Sequence, residues 1–460
     1  MEALTIKEVK LDQRQQDAIK LSTDLSHRLA AVSGPAGSGK TTIIRLVHEA
    51  LTKRGISVAL AAPTGKAARR IKEATGINAV TVHKLLEYGR PGERDAETGK
   101  PLDPSIPSRS RSNPLDYKVV IVDEYAMLSY ELHNNLMAAL PSGGCVRAFG
   151  DVYQLPPIEP YTVYDSTKPV EPTPFEKLLK RPGDSVLLET VYRQGEGSEI
   201  LMAADKIRHG HTPPVNVDLG EWFVKLTDQP IDLLKRFVMG SKKVGIDFGS
   251  IDNQIITPSK KSWVGTKQLN TILRELLNPT PEQEIILPRY DWDKDTVYVG
   301  LGDKVVCTEN SYDLRDYFER YTEFDQDMRP YPGAYIPCPD NKQMLNGETG
   351  VVTQIYPDGA IDIDFGDRIV ELPRVYNEYW AKRDTIIEVS PLRQIDLAYA
   401  LTTHKCQGSE YDSIVYVLNK STNYSQGRQN FYTAVTRAKK RVFVISDQLS
   451  FRKSVFTLKR

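Results

Sequence analysis

Eight residues, Gly34 to Thr41 (GPAGSGKT), stand between the apolar run LAAVSG and the start of a helical pattern. The spacing G-x-x-x-x-G-K-[ST] acquires chemical meaning in just this order of strand, glycine-rich turn and helix. Glycines let backbone N–H groups turn inward around an anion, and a helix N-terminus adds partial positive charge. Lys40 offers a point charge to the β and γ oxygens of a nucleoside triphosphate, and the Thr41 hydroxyl a ligand to Mg²⁺. The loop residues expected around the phosphates are therefore Gly34, Pro35, Ala36, Gly37, Ser38, Gly39, Lys40, Thr41 and Thr42.

Such a loop belongs to a parallel α/β sheet, and the texture of the chain agrees. LAAVSG, VALAAPT and VVIVDE alternate with helical patterns, and a second alternation begins at NQIITPS and returns at IDLAYALTTHKCQG, SIVYVL and RVFVIS. Two stretches break the pattern. GRPGERDAETGKPLDPSIPSRSRSNP, Gly89 to Pro114, is too rich in Pro, Gly, Ser and charge for a core and reads as a protruding loop or hairpin. From about Leu287 to Pro391 short strands (KVVCT, GVVTQIY, AIDIDF, RIVELP) lie among turns, the pattern of a small β-barrel. Each α/β half thus carries an insertion.

Lys and Arg number 60, as do Asp and Glu, so no global field announces a nucleic-acid or membrane partner and any such contact must be made locally. The N-terminus lacks the apolar core of a signal peptide and no stretch approaches the roughly 18 apolar residues of a membrane span. Cys145, Cys307, Cys338 and Cys406 show no C-x-x-C spacing, which argues against a zinc site or a disulfide framework. A soluble protein of a reducing compartment, the cytoplasm, is expected, without a membrane partner.

Asp123 and Glu124 end the apolar run VVIV, at the edge of a parallel strand where ligands of α/β proteins sit. One carboxylate, Asp123, can join Thr41 around Mg²⁺ while Glu124 polarises an attacking water. Gln154, in GDVYQLPP, could sense a γ-phosphate without changing charge. Arg193 in VYRQ and Arg437 in TAVTRAKK could stabilise transition-state charge.

Taken together these residues resemble the superfamily 1B DNA helicases of RecD-like and Dda-like type. LDQRQQDA looks like the adenine-reading Q motif with Gln15 as its glutamine; GPAGSGKT matches motif I, APTGKAA motif Ia, TVHKLL motif Ib and VDEYAM motif II. GDVYQLPP is similar to motif III, LLETVYRQ to motif IV, YALTTHKCQGSEYD to motif V and FYTAVTRAKKR to motif VI. Two departures stand out: Ala126 where the family commonly has Ser, and Cys406 where it has Ser or Ala.

The resemblance implies two RecA-like parallel-sheet P-loop motor domains with ATP and Mg²⁺ between them, Arg193 and Arg437 as arginine fingers, and Gly408 and Glu410 as further nucleotide contacts. It implies 5′ to 3′ translocation on single-stranded DNA with duplex unwinding at a fork. On this reading residues 1–87 and 115–190 form motor domain 1A around a pin insertion 1B (88–114), and residues 191–286 and 392–460 form 2A around an SH3-like insertion 2B (287–391). Pro63, Thr64, Lys66, His83, Ser259, Trp263, Asn310, Thr403, His404 and Lys405 become the expected DNA contacts. Trp263 could equally pack as stack, and a backbone role for Asn310 and Tyr312 is as natural as a DNA one. His209 and His211 read as loop residues. Replication, repair and recombination are all compatible. Single-stranded-DNA-binding or replisome proteins are candidate partners, a monomer is the expected active form, and a bacterial or phage-infected cell the expected setting. The competing class is an ATP-switched clamp or remodelling translocase without processive unwinding. A nuclease-helicase fusion would need a further carboxylate-rich cluster, and none is visible.

Overall fold

The computed structural model describes residues 11–88, 105–157, 172–192, 198–215, 220–289, 295–310, 343–380, 385–422 and 427–457. The chain divides into two compact units, Met1–Tyr88 with Pro107–Glu196, and Gly89–Ile106 with Gly197–Arg460.

The first unit begins with helix α1 (Gln13–Thr23), followed by β1 (Leu29–Ser33), α2 (Lys40–Lys53), β2 (Val58–Ala62), α3 (Gly65–Thr75), β3 (Ala79–Thr81) and the short α4 (Val82–Leu85). After the excursion come β4 (Val119–Val122), α5 (Tyr130–Ala138), β5 (Cys145–Gly150), α6 (Pro174–Leu179) and β6 (Ser185–Leu187). The strands form one sheet in the order β3-β2-β4-β5-β1-β6, every pair parallel. All of Val119–Val122 and Cys145–Gly150 is buried, as befits central parallel strands covered on both faces. On one face Ile43, Ile44, Val47 and Leu51, spaced to line one side of α2, pack with Ala67, Ala68 and Ile71 of α3. Leu132, Leu136, Phe175 and Leu178 belong to the other cluster.

The second unit holds α7 (Glu199–Arg208), β7 (Trp222–Leu226), α8 (Pro230–Ser241), β8 (Asn253–Thr257), α9 (Thr266–Leu277), β18 (Ala400–Thr402), β19 (Tyr411–Val417), α10 (Arg428–Val435), β20 (Ala438–Ser446) and α11 (Gln448–Phe456). Its parallel sheet runs β18-β8-β19-β20-β7. Between α9 and β18 lies the excursion. Strands β11 (Lys304–Cys307), β12 (Thr349–Ile355), β13 (Ile361–Asp364), β14 (Ile369–Leu372) and β17 (Ile395–Leu397) form an antiparallel sheet in the order β14-β13-β12-β11-β17. Two hairpins, β9 (Glu284–Ile286) with β10 (Tyr298–Gly300) and β15 (Tyr376–Trp380) with β16 (Thr385–Val389), stand apart from it.

Buried polar groups fasten this excursion to the parallel sheet. Asp303, fully buried, accepts from Gly300 N–H (2.7 Å), Arg274 Nε (2.7 Å), Asn278 Nδ2 (2.8 Å) and Tyr399 OH (2.8 Å). Four donors offset the desolvation of one carboxylate. Asn270 donates to Leu397 O at 2.9 Å and accepts from Ala400 N–H at 2.7 Å, fixing the chain where it returns to the parallel sheet. Of the first excursion only residues from 105 on are described. An isolated antiparallel bridge joins Tyr88 and Pro107, and residues 89–104 lie outside the described ones. Among the described residues no helix is long and apolar enough to cross a membrane.

Candidate nucleotide site and nucleic-acid surfaces

The C-terminal ends of β1, β5 and β4 lie side by side in the first sheet, and the loops leaving them carry the chemistry. From β1 the chain turns through Gly34–Gly39 into α2, with Gly37 at φ 81° and Gly39 at φ 86°. A side chain at Gly34 would meet Ser38 Oγ at 2.6 Å and Leu188 Cβ at 2.8 Å, and one at Gly39 would meet Gln15 Nε2 at 2.7 Å. Glycine is thus required by both space and backbone. Lys40 Nζ donates to Gly34 O (2.7 Å) and Pro35 O (2.9 Å), so its ammonium sits inside the loop. Thr41 and Thr42 follow in the first turn of α2. Ser38 is 1% exposed and its Oγ has no hydrogen-bond partner among the described residues.

The loop is braced from two sides. Asp12 caps α1, accepting from Gln15 N–H at 2.7 Å, while Gln15 Oε1 accepts from Asp12 N–H at 3.2 Å. Gln15 Nε2 then donates to Ser38 O at 3.1 Å. From the other side Tyr192 N–H donates to Gly37 O at 2.8 Å and its hydroxyl to Asp12. That hydroxyl is the chief cause holding the Asp12 carboxyl below its ordinary value. Neither Asp12 nor Tyr192 was expected from the sequence, although D-x-x-Q before a helix is a legible capping signature. Arg193, next in the chain, lies outside the described residues.

Asp123 and Glu124 follow β4, with Glu124 N–H donating to Asp123 Oδ1 at 2.9 Å. Desolvation first, and then the charge of Glu124, push the Asp123 carboxyl up to about 6. A site crowded with negative charge suits a divalent cation, and Mg²⁺ needs only a carboxylate or two beside phosphate oxygens. Thr41 and Asp123 carry oxygen donors of the type such an ion takes. Among the described residues no group of three or more His, Cys, Asp or Glu could hold a metal ion. Beyond β5, Gln154 is 4% exposed with Oε1 lacking a partner among the described residues, and Asp151 shapes its turn by accepting from Tyr153 N–H at 3.0 Å.

A second row of expected residues follows β2 and β3. Thr64 caps α3, its Oγ accepting from Ala67 N–H at 3.2 Å, which leaves the hydroxyl proton to donate. Pro63 precedes it and Lys66 lies in the first turn of α3. His83 is exposed on α4, its ring 5.0 Å from that of Tyr88.

In the second unit Ser259 follows β8, and Thr403, His404 and Lys405 follow the neighbouring β18. Desolvation lowers the pKa of His404 and of Lys405. Thr403 is fully buried and donates to Asn430 Oδ1 at 2.6 Å, so its side chain faces inward. Trp263 is 76% exposed, and its N–H donates to Ser421 Oγ at 3.1 Å. Asn310 accepts from Asn346 N–H at 2.8 Å, a turn-forming role; Tyr312 lies outside the described residues. Gly408 (φ 74°) and Glu410 lead into β19, with Glu410 4.0 Å from Lys439 Nζ. Arg437, 2% exposed, donates from Nε to Thr433 O (3.0 Å), with Nη1 3.5 Å from Ser409 O. Its carbonyl accepts from Tyr411 N–H at 2.9 Å, which places it at the β19 end of the Gly408–Glu410 turn.

Comparison with known proteins shows what the chain resembles. Residues 10–222 match the model of an AAA domain, and residues 397–445 that of a UvrD-like helicase C-terminal domain. The ATP-dependent RecD2 DNA helicase of Deinococcus radiodurans is 30% identical over 431 residues, covering 93% of this chain and 48% of the relative. The RecBCD enzyme subunit RecD of Mycolicibacterium smegmatis is 25% identical over 489 residues, covering 96% and 72%. The chain therefore spans about half the length of the first relative. A solved Pif1 helicase from Bacteroides, in complex with ADP-AlF3 and single-stranded DNA, superposes with a TM-score of 0.56 at 20% identity, covering 98% of this chain and 95% of that one. The parallel sheets are thus RecA-like, in the fold of the solved Pif1 helicase, and the curated relatives that the chain resembles are RecD-type helicases.

Proposed function

We propose that this chain is an ATP-dependent DNA helicase that moves 5′ to 3′ on single-stranded DNA and separates duplex ahead of it. The observation that carries this reading is the convergence of Lys40 and Thr41, Asp123 and Glu124, and Gln154 on neighbouring strand ends of one parallel sheet. In this mechanism the loop N–H groups and the Lys40 ammonium hold the triphosphate, and Gln15 orients the base. Thr41 and Asp123 would hold Mg²⁺, which neutralises charge between the β and γ oxygens when bound. Glu124 takes a proton from the water that attacks the γ-phosphorus while the bond to the ADP oxygen breaks, giving ADP and phosphate. Gln154 senses the γ-phosphate, Gly408 and Glu410 complete the nucleotide contacts, and Arg193 and Arg437 stabilise the transferring phosphoryl group.

DNA contacts are assigned to Pro63, Thr64, Lys66 and His83 in the first motor domain and to Ser259, Trp263, His404 and Lys405 in the second, with Thr403 and Asn310 shaping their turns. Such contacts read backbone and stack bases, so no sequence preference is expected. Residues 88–114 are assigned to the strand-splitting pin and residues 287–391 to an SH3-like strand guide. The relatives' names support the motor reading: RecD2 is an ATP-dependent DNA helicase and RecD a subunit of RecBCD.

Unwinding assays on paired substrates with a 5′ or a 3′ single-stranded tail test activity and polarity together. ATP-dependent displacement from the 5′-tailed substrate alone is the expected result. DNA binding with slow, unstimulated hydrolysis and no displacement would instead leave an ATP-switched clamp.

A further inference from the structure

Among the described residues only two non-glycine positions have left-handed backbone, Glu87 (φ 52°) and Glu124 (φ 50°). Each is followed by a tyrosine, and both tyrosine hydroxyls end on helix α5. Tyr125 OH is 2.7 Å from His133 Nδ1, and Asn135 Nδ2 donates to Tyr88 OH at 2.8 Å. Left-handed conformations at such residues persist only where their surroundings over-determine them. One turn carries the hydrolytic glutamate, and the other follows α4, which carries His83.

We propose that Tyr125 and Tyr88 are positioning residues, joined through α5, by which DNA at His83 sets the orientation of Glu124. This rests on the helicase reading above. Burial lowers the His133 pKa and raises that of Tyr125, so a neutral phenol and a neutral imidazole share this hydrogen bond. Tyr125 is 1% exposed and its ring packs 5.9 Å from that of Phe175 and 6.0 Å from that of His133, so the ring serves the core while the hydroxyl supplies the hydrogen bond to α5. At the other end the Tyr88 ring lies 5.0 Å from His83, so a displaced imidazole pushes on the group that Asn135 holds. A helix moves as one body, so a shift at Asn135 is delivered to His133 two residues earlier.

The test removes the hydroxyls and leaves the rings. ATP turnover with and without oligo(dT) and thermal unfolding are measured for the wild type, Tyr125→Phe, Tyr88→Phe and the double variant. Each single change is expected to lower oligo(dT)-stimulated kcat about tenfold with KM for ATP within about twofold. The double variant should lose no more than the weaker single one, since both cut one linkage. Losses that multiply in the double variant, or wild-type stimulation in Tyr125→Phe, would overturn the linkage while leaving the motor reading intact. A wild-type chain that oligo(dT) fails to stimulate would overturn the motor reading and the linkage with it. Lowered melting temperature with an unchanged stimulation ratio would show a purely structural role.

Discussion

Gln15 holds the carbonyl of Ser38 at 3.1 Å, tying the first helix to the middle of the phosphate loop. The same amide closes the cap with Asp12, so the helix cap and the loop shape share one side chain, the one proposed above to orient the base. Gln15→Ala removes a hydrogen bond to the loop together with a capping partner, each of which contributes about 1 kcal/mol. KM for ATP should rise about tenfold while kcat changes little. Steady-state kinetics with ATP and GTP would check this; an unchanged KM would remove Gln15 from the nucleotide site.

Lys40→Ala and Glu124→Gln address the two ends of the reaction. Both should lower DNA-stimulated hydrolysis by at least about a hundredfold, since each removes transition-state stabilisation. Fluorescence anisotropy with labelled single-stranded DNA should still report binding. Full strand displacement by either purified variant would displace the catalytic assignment.

The Asp123 carboxyl gives a pH dependence with a definite sign. Its value is raised from 3.8 to about 6, so in the nucleotide-free protein it holds a proton between those values that the unfolded chain has released. Its own contribution to stability therefore grows as pH falls through 6. Mg²⁺ needs the carboxylate, so the Mg²⁺-dependent part of nucleotide affinity must weaken below pH 6, by about tenfold per unit. Titrating a fluorescent ADP with and without Mg²⁺ from pH 5 to 8 measures it. A Mg²⁺ increment that stays flat over that range would mean Asp123 is not a ligand.

Asp303→Asn keeps size and burial and replaces an acceptor of four hydrogen bonds by an amide that must aim N–H groups at donors. Breaking a buried charged network of this kind costs roughly 3–5 kcal/mol. Calorimetry should show a markedly lower melting temperature for the second unit. A Tm within a degree of wild type would show the network to be dispensable.

How much of this was legible beforehand depends on how local each constraint is. Gly34 to Thr41 and the capping box at Asp12 are specified by neighbours in sequence, so the phosphate loop and its helix could be read directly. The alternation in Ile361–Asp364, buried and half-buried by turns, likewise marked β13. Arg147 could not be read: inside the apolar strand VRAFG it is fully buried, and donates to Ser22 O (2.7 Å), Asp24 O (2.6 Å) and His27 O (2.8 Å) at the C-terminal end of α1. Only the tertiary fold brings those carbonyls to it. Tyr192 reaching Asp12 is the same kind of relationship, made between residues 180 positions apart in the chain. Ile395–Leu397 was also hidden. Three residues with no turn signal join the antiparallel sheet because β11, some ninety residues earlier, offers an open edge.

That last pairing has an architectural consequence. Cys307 and Ile395 are register partners on adjacent antiparallel strands, so the stretch of chain between them departs and comes home at one point. Neighbouring strands lie about 5 Å apart whatever hangs between them. This strand pair therefore offers a socket: chain of almost any length or shape could be grafted there, and evolution could trade accessories while the engine beneath stays untouched.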